Sequence, residues 1–299
     1  MVVLRDFFLR KMIKDRIVIL AKGAPNRLKD GRETQCAIAV SPHLGLIRIY
    51  PLHPFENMDV KIWSVCDIEM EKHDKDTRDE TYKPSSIKSI SKMDDREDRR
   101  LLLEKCSIGT GDIDPINFQN NEKKSIIVMK APKEMGAAMP YRECDDPDEE
   151  TFGAIKCQRD FPYKPMISWT SLQGVNHETN IVGQEVYEYL RCNTQTPFRL
   201  FENLQISNPD YEKWLVLGTL VNRRNVWCCP HIHRIKKSVS GSIPLFLPMF
   251  DGVEGDWPYS KTGGRNVKPA GPQMEMNLFT STIDTITLNY CLGNTQIVH

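Results

Sequence analysis

Apolar residues in the first third of the chain alternate or run in short blocks, the spacing of β-strands rather than of helices. Arg16 to Leu20 is a short aliphatic strand, closed by the turn residues Gly23-Ala24-Pro25-Asn26. Glu33 to Val40 and Gly45 to Tyr50 form a predicted hairpin across Ser41-Pro42-His43-Leu44-Gly45. Val60 to Glu71 continues as strand through Ile62, Trp63, Val65, Ile68 and Met70. Adjacent strands of this kind make a small sheet or partial barrel. Before them, Met1 to Ile19 sets Arg5, Arg10, Lys11, Lys14 and Arg16 among Leu4, Phe7, Phe8, Leu9, Met12 and Ile13, the pattern of a short basic helix.

The period then changes. Lys72 to Arg100 carries both charge signs, and its tail, Asp94 to Cys106, presents Leu101, Leu102 and Leu103, which fits a solvated helix docking at its end. Ser125 to Lys130 is a strand, and Phe161 to Thr170 is a strand or an extended loop. From Asn180 onward Ile181, Val182, Val186, Tyr189 and Leu190 recur at helical spacing. Trp214 to Val221 and Val226 to Ile235 flank Asn222-Arg223-Arg224-Asn225, a hairpin with a basic tip. Ala131 to Gln158 is rich in Pro, Gly, Met and acid and reads as an insertion or linker. Beyond Lys237 the Pro and Gly content argues against a compact core element, with a final strand pair over Met274 to Tyr290. No internal sequence repeat stands out. The predicted class is α+β: an amino-terminal β-sheet or partial barrel (1–90), a helical connection with an acidic insertion (91–160), a strand, helix and hairpin unit (161–240) and an extension (241–299), or all of these as one domain.

Composition narrows the partners. Among 299 residues, 40 Lys plus Arg balance 40 Asp plus Glu, so no global field draws the chain to a polyanion and any nucleic-acid site must be a local patch. Nine cysteines without framework spacing read as reduced thiols of a cytoplasmic protein. The leading charges deny the apolar centre of a signal peptide, and no apolar run approaches the ~20 residues of a bilayer span. After Gly109-Thr110-Gly111-Asp112 no Lys-Ser/Thr follows to cradle a phosphate, and a Gly-x-Ser-x-Gly elbow is missing, so neither nucleotide hydrolysis nor serine chemistry is expected. No cofactor is implied.

Charged residues interrupt segments that otherwise read as buried strands, and such interruptions are costly unless paired or used. They fall in Gly31-Arg32-Glu33-Thr34-Gln35-Cys36, in Arg48-Ile49-Tyr50-Pro51 and in Arg78-Asp79-Glu80-Thr81-Tyr82-Lys83-Pro84. The Gly-x-x-Arg-x-Tyr-Pro strand (Gly45, Arg48, Tyr50, Pro51), the glutamate before a cysteine (Glu33, Cys36) and the Arg-x-Glu-Ser/Thr-Tyr motif (Arg78, Glu80, Thr81, Tyr82) resemble a broad family of prokaryotic and phage-associated proteins of unassigned activity. The likeness resumes weakly over Tyr163 to Arg191 and at Leu217, Gly218 and Trp227. The helix of that family opens with Asp-Trp-Glu where this chain has Val182-Gly183-Gln184-Glu185. The association of the family with mobile elements and defence genes implies a nucleic-acid partner.

Cleaving an N-glycosidic bond requires a carboxylate at an oxocarbenium-like centre and aromatic surface for an extruded base. Glu33, Asp76 and Glu80 are the candidate catalytic acids. Arg48, Tyr50, Arg78, Tyr82 and Lys83, with the tip residues Arg223 and Arg224, are the candidate nucleic-acid contacts. The leading expectation is a DNA-acting protein that recognises or excises a nucleobase, plain or modified, in antiviral defence. The alternatives are a non-catalytic nucleic-acid or protein-binding module, and a buried Arg–Glu network that merely pins strands. Three further patterns are weighed. Cys229, His231 and His233 would share a strand face and could ligate zinc, against a core reading. The basic tip, with Arg234, Lys236, Lys237, Trp214 and Trp227, could form a stacking groove, against a charged solubility device. His177 could meet Glu185 or Glu188 in a proton relay, against a surface pair.

Overall fold

The computed structural model describes residues 12–28, 31–54, 56–108, 124–132, 134–141, 161–171, 174–221 and 223–237. The first sheet contains β1 (Ile13–Lys22), β2 (Asn26–Arg27), β3 (Glu33–Ser41), β4 (Gly45–Leu52), β5 (Ser64–Lys72) and β6 (Thr81–Lys92), in the order β1-β5-β6-β4-β3-β2. β1 also pairs with β3, which closes five of these strands into a barrel. Within it only β4 and β6 run parallel, through Arg48 opposite Thr81 and Ile49 opposite Tyr82. Helix α1 (Arg96–Cys106) follows, capped by Asp95, whose side chain accepts from the Glu97 and Asp98 amides (2.8 and 2.9 Å).

The second sheet contains β7 (Ile126–Lys130), β8 (Gly136–Ala138), β9 (Met166–Thr170), β10 (Asn176–Ile181), β11 (Tyr211–Leu220) and β12 (Arg223–Lys236), in the order β7-β11-β12-β10-β9-β8. Each place in this order is the corresponding place in the first sheet raised by six. The parallel pair recurs too, as β10 with β12. A fold plan without a matching sequence repeat is therefore used twice, the first copy closed by the β1–β3 pairing. Helix α2 (Gln184–Cys192) and the short α3 (Leu200–Asn203) lie between β10 and β11.

Three apolar layers explain the strand patterns. Ile17, Ile19, Ala37, Ala39, Ile47 and Ile49 fill the barrel. Val18, Leu20, Ile38, Val40 and Leu46, from the opposite faces of the same strands, pack with Leu102 and Leu103 of α1 and with Ile126, Val128, Trp214 and Val216 of the second sheet. Both faces of β1 are thus covered, so its sequence runs apolar where a half-exposed strand would alternate. Ile127, Met129, Leu215 and Leu217 face the third layer, closed by Val186, Tyr187 and Leu190 of α2.

Several sequence expectations change. The described residues are mostly strand with few helices, so the α+β expectation holds only roughly, while the expected amino-terminal sheet or partial barrel is a closed five-stranded barrel. The strand expected from Arg16 begins at Ile13, in register with Met70 of β5, with Lys14 and Arg16 directed outward to Glu69 (2.6 Å) and Asp67 (2.8 Å). Residues 1–11 of the expected basic helix lie outside the described residues. Within Lys72 to Arg100, only the tail is helical. Thr81–Lys92 is a strand held by its ladder to β5, and little of it past Tyr82 is buried, so no apolar period marks it. The strand expected from Val60 starts at Ser64. β8 lies inside the expected linker, and Asn176–Ile181, at the edge of the expected helix, is a strand. The rest of that linker from Arg142, the extension and its strand pair lie outside the described residues.

Between the sheets, Trp63 stacks on His233 (ring centroids 4.4 Å), His233 meets His231 (4.3 Å), and Arg99 covers Trp63 (5.3 Å). Burial, with His231 and Arg99 adding to it, holds the His233 imidazole well below its ordinary 6.5. The unfolded chain takes up a proton near pH 6.5 that the folded chain refuses, so stability is full above that pH and falls as pH drops below it. The melting temperature is expected to decline between about pH 6.5 and 5, and His233→Phe, which keeps the ring stack, is expected to flatten part of that decline.

Candidate functional site

The segments carrying Arg48 and Arg78–Glu80 converge where the barrel meets the second sheet. Arg48 projects from the outer face of β4 and is only 2% exposed. Its guanidinium donates to the Ser125 hydroxyl (3.2 Å) and carbonyl (3.1 Å) at the start of β7. Gly218 of β11 leaves the room: a Cβ there would stand 3.1 Å from Arg48 Nη2. Glu80 reaches the same serine from the β5–β6 loop, accepting from its amide (2.7 Å) and its hydroxyl. The backbone joins in, with the Arg48 amide donating to the Glu80 carbonyl (2.8 Å).

Arg78, from the same loop, forms a buried fork on Asp76, with Nε at 2.8 and 3.1 Å from the two carboxylate oxygens and Nη2 on Oδ2. Its Nη1 donates to the Thr219 carbonyl of β11 (2.6 Å). Burial alone pushes the Asp76 carboxyl up, but the hydrogen bonds and charge of Arg78 outweigh it and hold it below the usual carboxylate range. Burial pushes the Arg48 guanidinium down. It also lifts the neighbouring Cys228 thiol to about 12, and that thiol donates to the Gly218 carbonyl (3.1 Å). Asp76, Arg78 and Glu80 are all at most 9% exposed. The arrangement clamps two sheets together through charge-assisted bonds; Asp76 and Glu80 Oε1 are engaged in it, while Glu80 Oε2 is buried with no hydrogen-bond partner among the described residues.

The remaining motif residues are scattered around this clamp. Glu33 opens β3 opposite Arg27, and its carbonyl accepts from the His53 ring (3.3 Å). Tyr50 is half-buried beside His73 (ring centroids 5.9 Å). Tyr82 belongs to the barrel core, with the Lys72 ammonium 4.3 Å from its ring centroid. Lys83 is exposed and 3.7 Å from Glu71. Sequence reasoning gave no site role to Ser125, Gly218 or Thr219. Thr219 serves through its backbone carbonyl, which leaves no mark in sequence, and Gly218 is visible as a glycine but not as the neighbour of Arg48.

The other three patterns come apart. Cys229 faces the third layer, whereas His233 turns to the opposite face against Trp63, because the β11–β12 register shifts beside Pro230. Among the described residues no three His, Cys, Asp or Glu side chains gather to hold a metal ion. Trp214 and Trp227 are buried in different layers, so neither offers a stacking surface beside the tip. Register places Arg223 opposite Leu220 and Lys236 opposite Tyr211, so the tip and the later cations occupy opposite ends of a hairpin about 30 Å long. His177 stacks on Trp169 (5.2 Å), while Glu185 approaches His231 (3.5 Å).

Among the described residues, one polar sheet face is left largely exposed. Met166, Ser168 and Thr170 of β9 and Asn176, Glu178 and Asn180 of β10 point away from the third layer and are exposed or half-buried. β8 extends this face, and a Cβ at Gly136 would collide with the Ser168 hydroxyl. Because β12 runs parallel to β10 and pairs Cys228 with Asn180, its leading residues Arg223 and Arg224 lie toward the Asn176 end. Both are exposed, and Arg224 donates to the Thr77 hydroxyl of the barrel loop.

A domain of unknown function (DUF8758) matches residues 13–105, the barrel together with α1. Among curated proteins there is no match. Among solved structures, a murine DNA binding protein bound with double-stranded DNA aligns over 77% of this chain and 99% of its own, at 7% identity and a TM-score of 0.29, a likeness too weak to carry an argument. Among the described residues no helix is long and apolar enough to cross a membrane.

Proposed function

We propose that this protein binds nucleic acid, DNA foremost, on the open β8–β9–β10 face with Arg223 and Arg224 as phosphate contacts, and that it recognises its target without excising a base. The observation that carries this reading is the largely exposed polar face ending at an exposed arginine pair, on a sheet that repeats the plan of the barrel. In chain order the five barrel strands pair as 1-2-3-5-4-1, with the third and fifth parallel. This is the connectivity of five-stranded Greek-key barrels that take oligonucleotides and oligosaccharides across their second and third strands. In the barrel those strands, β3 and β4, are covered by the second sheet. Their counterparts by position, β9 and β10, are open, and the arginines favour a phosphate backbone over a neutral glycan. The fork of Arg78 on Asp76 and the near-complete burial of Asp76 and Glu80 support recognition over catalysis. The likeness to proteins of mobile elements supports a foreign nucleic acid as the target.

Fluorescence anisotropy with labelled oligonucleotides in rising salt, followed by alkali treatment of the bound strands, tests this reading. Binding that weakens with salt, with strands left intact, is expected. Strand scission that is lost in Glu80→Gln would show base excision instead.

A further inference from the structure

At one end of the barrel two polar side chains point inward. Lys22 of β1 stands opposite Ala37 of β3, and Gln35 of β3 stands opposite Leu52 of β4. Residues opposite each other on antiparallel strands share a face, and Ala37 and Leu52 belong to the barrel core, so Lys22 and Gln35 face the interior with them. Gln35 lies two residues from Ala37, diagonally across from Lys22 at a backbone separation of about 7–8 Å, which one small molecule can bridge.

Neither side chain is completed by the fold. Gln35 is fully buried, yet its Oε1 and Nε2 both lack a hydrogen-bond partner among the described residues. Lys22 is 7% exposed, and its ammonium makes one hydrogen bond among the described residues, to the Val60 carbonyl (2.7 Å), although it has three donors to place. Burial pulls that ammonium down to about 8, while Asp59 and Glu185 favour its charge from a distance. A buried amide without partners and a buried charge without a counter-ion both cost stability, and folds keep such groups where function needs them.

The barrel wall is also weakest here. β4 and β6 pair at Arg48–Thr81 and Ile49–Tyr82, and beyond Ile49 toward Leu52 no further pairing joins them among the described residues. The seam beside Gln35 therefore lacks the ladder bonds that would seal it against a small solute.

We infer that this end of the barrel binds a small hydroxycarboxylate, its carboxylate held by Lys22 Nζ and Gln35 Nε2 and its hydroxyl donating to Gln35 Oε1. The ammonium and the amide N–H call for an anion, and the amide carbonyl calls for a donor on the same molecule. One negative charge matches the single ammonium, whereas a dianion would leave a charge uncompensated in an apolar barrel.

The test uses the full chain with three probes at equal ionic strength: glycolate, acetate and chloride. Melting is followed for the wild type, Lys22→Met and Gln35→Leu. The wild-type midpoint is expected to rise with glycolate, less with acetate and not with chloride. Lys22→Met is expected to weaken glycolate roughly 10- to 150-fold and Gln35→Leu roughly 2- to 10-fold. Without carboxylate, both variants are expected to melt at or above the wild type, a result that a purely structural role would reverse. In the wild type, glycolate is expected to move the Lys22 ε-methylene NMR signal saturably, the signal being assigned by its loss in Lys22→Arg. A midpoint that glycolate raises no more than chloride, a response that survives Lys22→Met, or a Lys22 signal that stays in place overturns the site, whatever the stability of the variants.

Discussion

Arg48→Met is expected to lower folding stability by about 3–5 kcal/mol, the range for removing one member of a buried charged network. The methionine keeps the length of the side chain but leaves the Ser125 carbonyl without its guanidinium donor and the Glu80 carboxylate without the cation that shares Ser125 with it. The Ser125 hydroxyl and amide still serve Glu80, so the cost falls on the bonds that cross between the sheets. Urea denaturation, followed by tryptophan fluorescence, measures it. Trp63 and Trp214 lie in the layer between barrel and second sheet and report on that junction directly. A loss under about 1 kcal/mol, the scale of a surface ion pair, would mean that the network does not bind the sheets together.

Arg78→Met is expected to cost a similar ~3–5 kcal/mol, because it strands the Asp76 carboxylate in a site almost closed to water and removes a donor from the Thr219 carbonyl. The second variant of the pair makes the mechanism testable. Removing the charge on both sides, as Arg78→Met/Asp76→Leu, is expected to be less damaging than Arg78→Met alone, since no uncompensated charge remains. Urea midpoints of the single and double variants give the coupling. If their effects simply add, the two side chains act independently and the fork on Asp76 contributes nothing as a unit.

How much of this was legible in the sequence varies by element for physical reasons. The β3–β4 hairpin, α1 and the β11–β12 hairpin carry strong local signals: alternation with a turn between, an acidic cap before a leucine run, and paired apolar runs about a polar tip. β6 was hidden because its outer stretch is exposed or only half-buried and offers just Ile87 to the barrel core, so the ladder to β5 is what holds it extended. The doubled strand plan was hidden more deeply. Strand order is decided by which faces must be covered, and two unrelated sets of residues meet the same demand. At the site, Arg48, Arg78 and Glu80 gather in space, because charges inside apolar strands need partners, and they are sealed from water rather than lining an open pocket. What they act upon was legible only in three dimensions. Their partners are Ser125 and a backbone carbonyl of the second sheet, more than forty residues away in sequence. The open face carries a single acid, Glu178, among Ser168, Thr170, Asn176 and Asn180, which look like any solvated strand residues until the sheet is seen to leave them exposed.

The separation of a structural clamp from a recognition face is tested most directly by the salt dependence of oligonucleotide binding in the wild type and in Arg223→Ala/Arg224→Ala. The account predicts that the variant melts with the wild type, binds more weakly on every sequence, and shows a slope of log affinity against log salt shallower by roughly 2, one for each phosphate that an arginine no longer neutralises. An unchanged affinity and slope in a folded variant would contradict it.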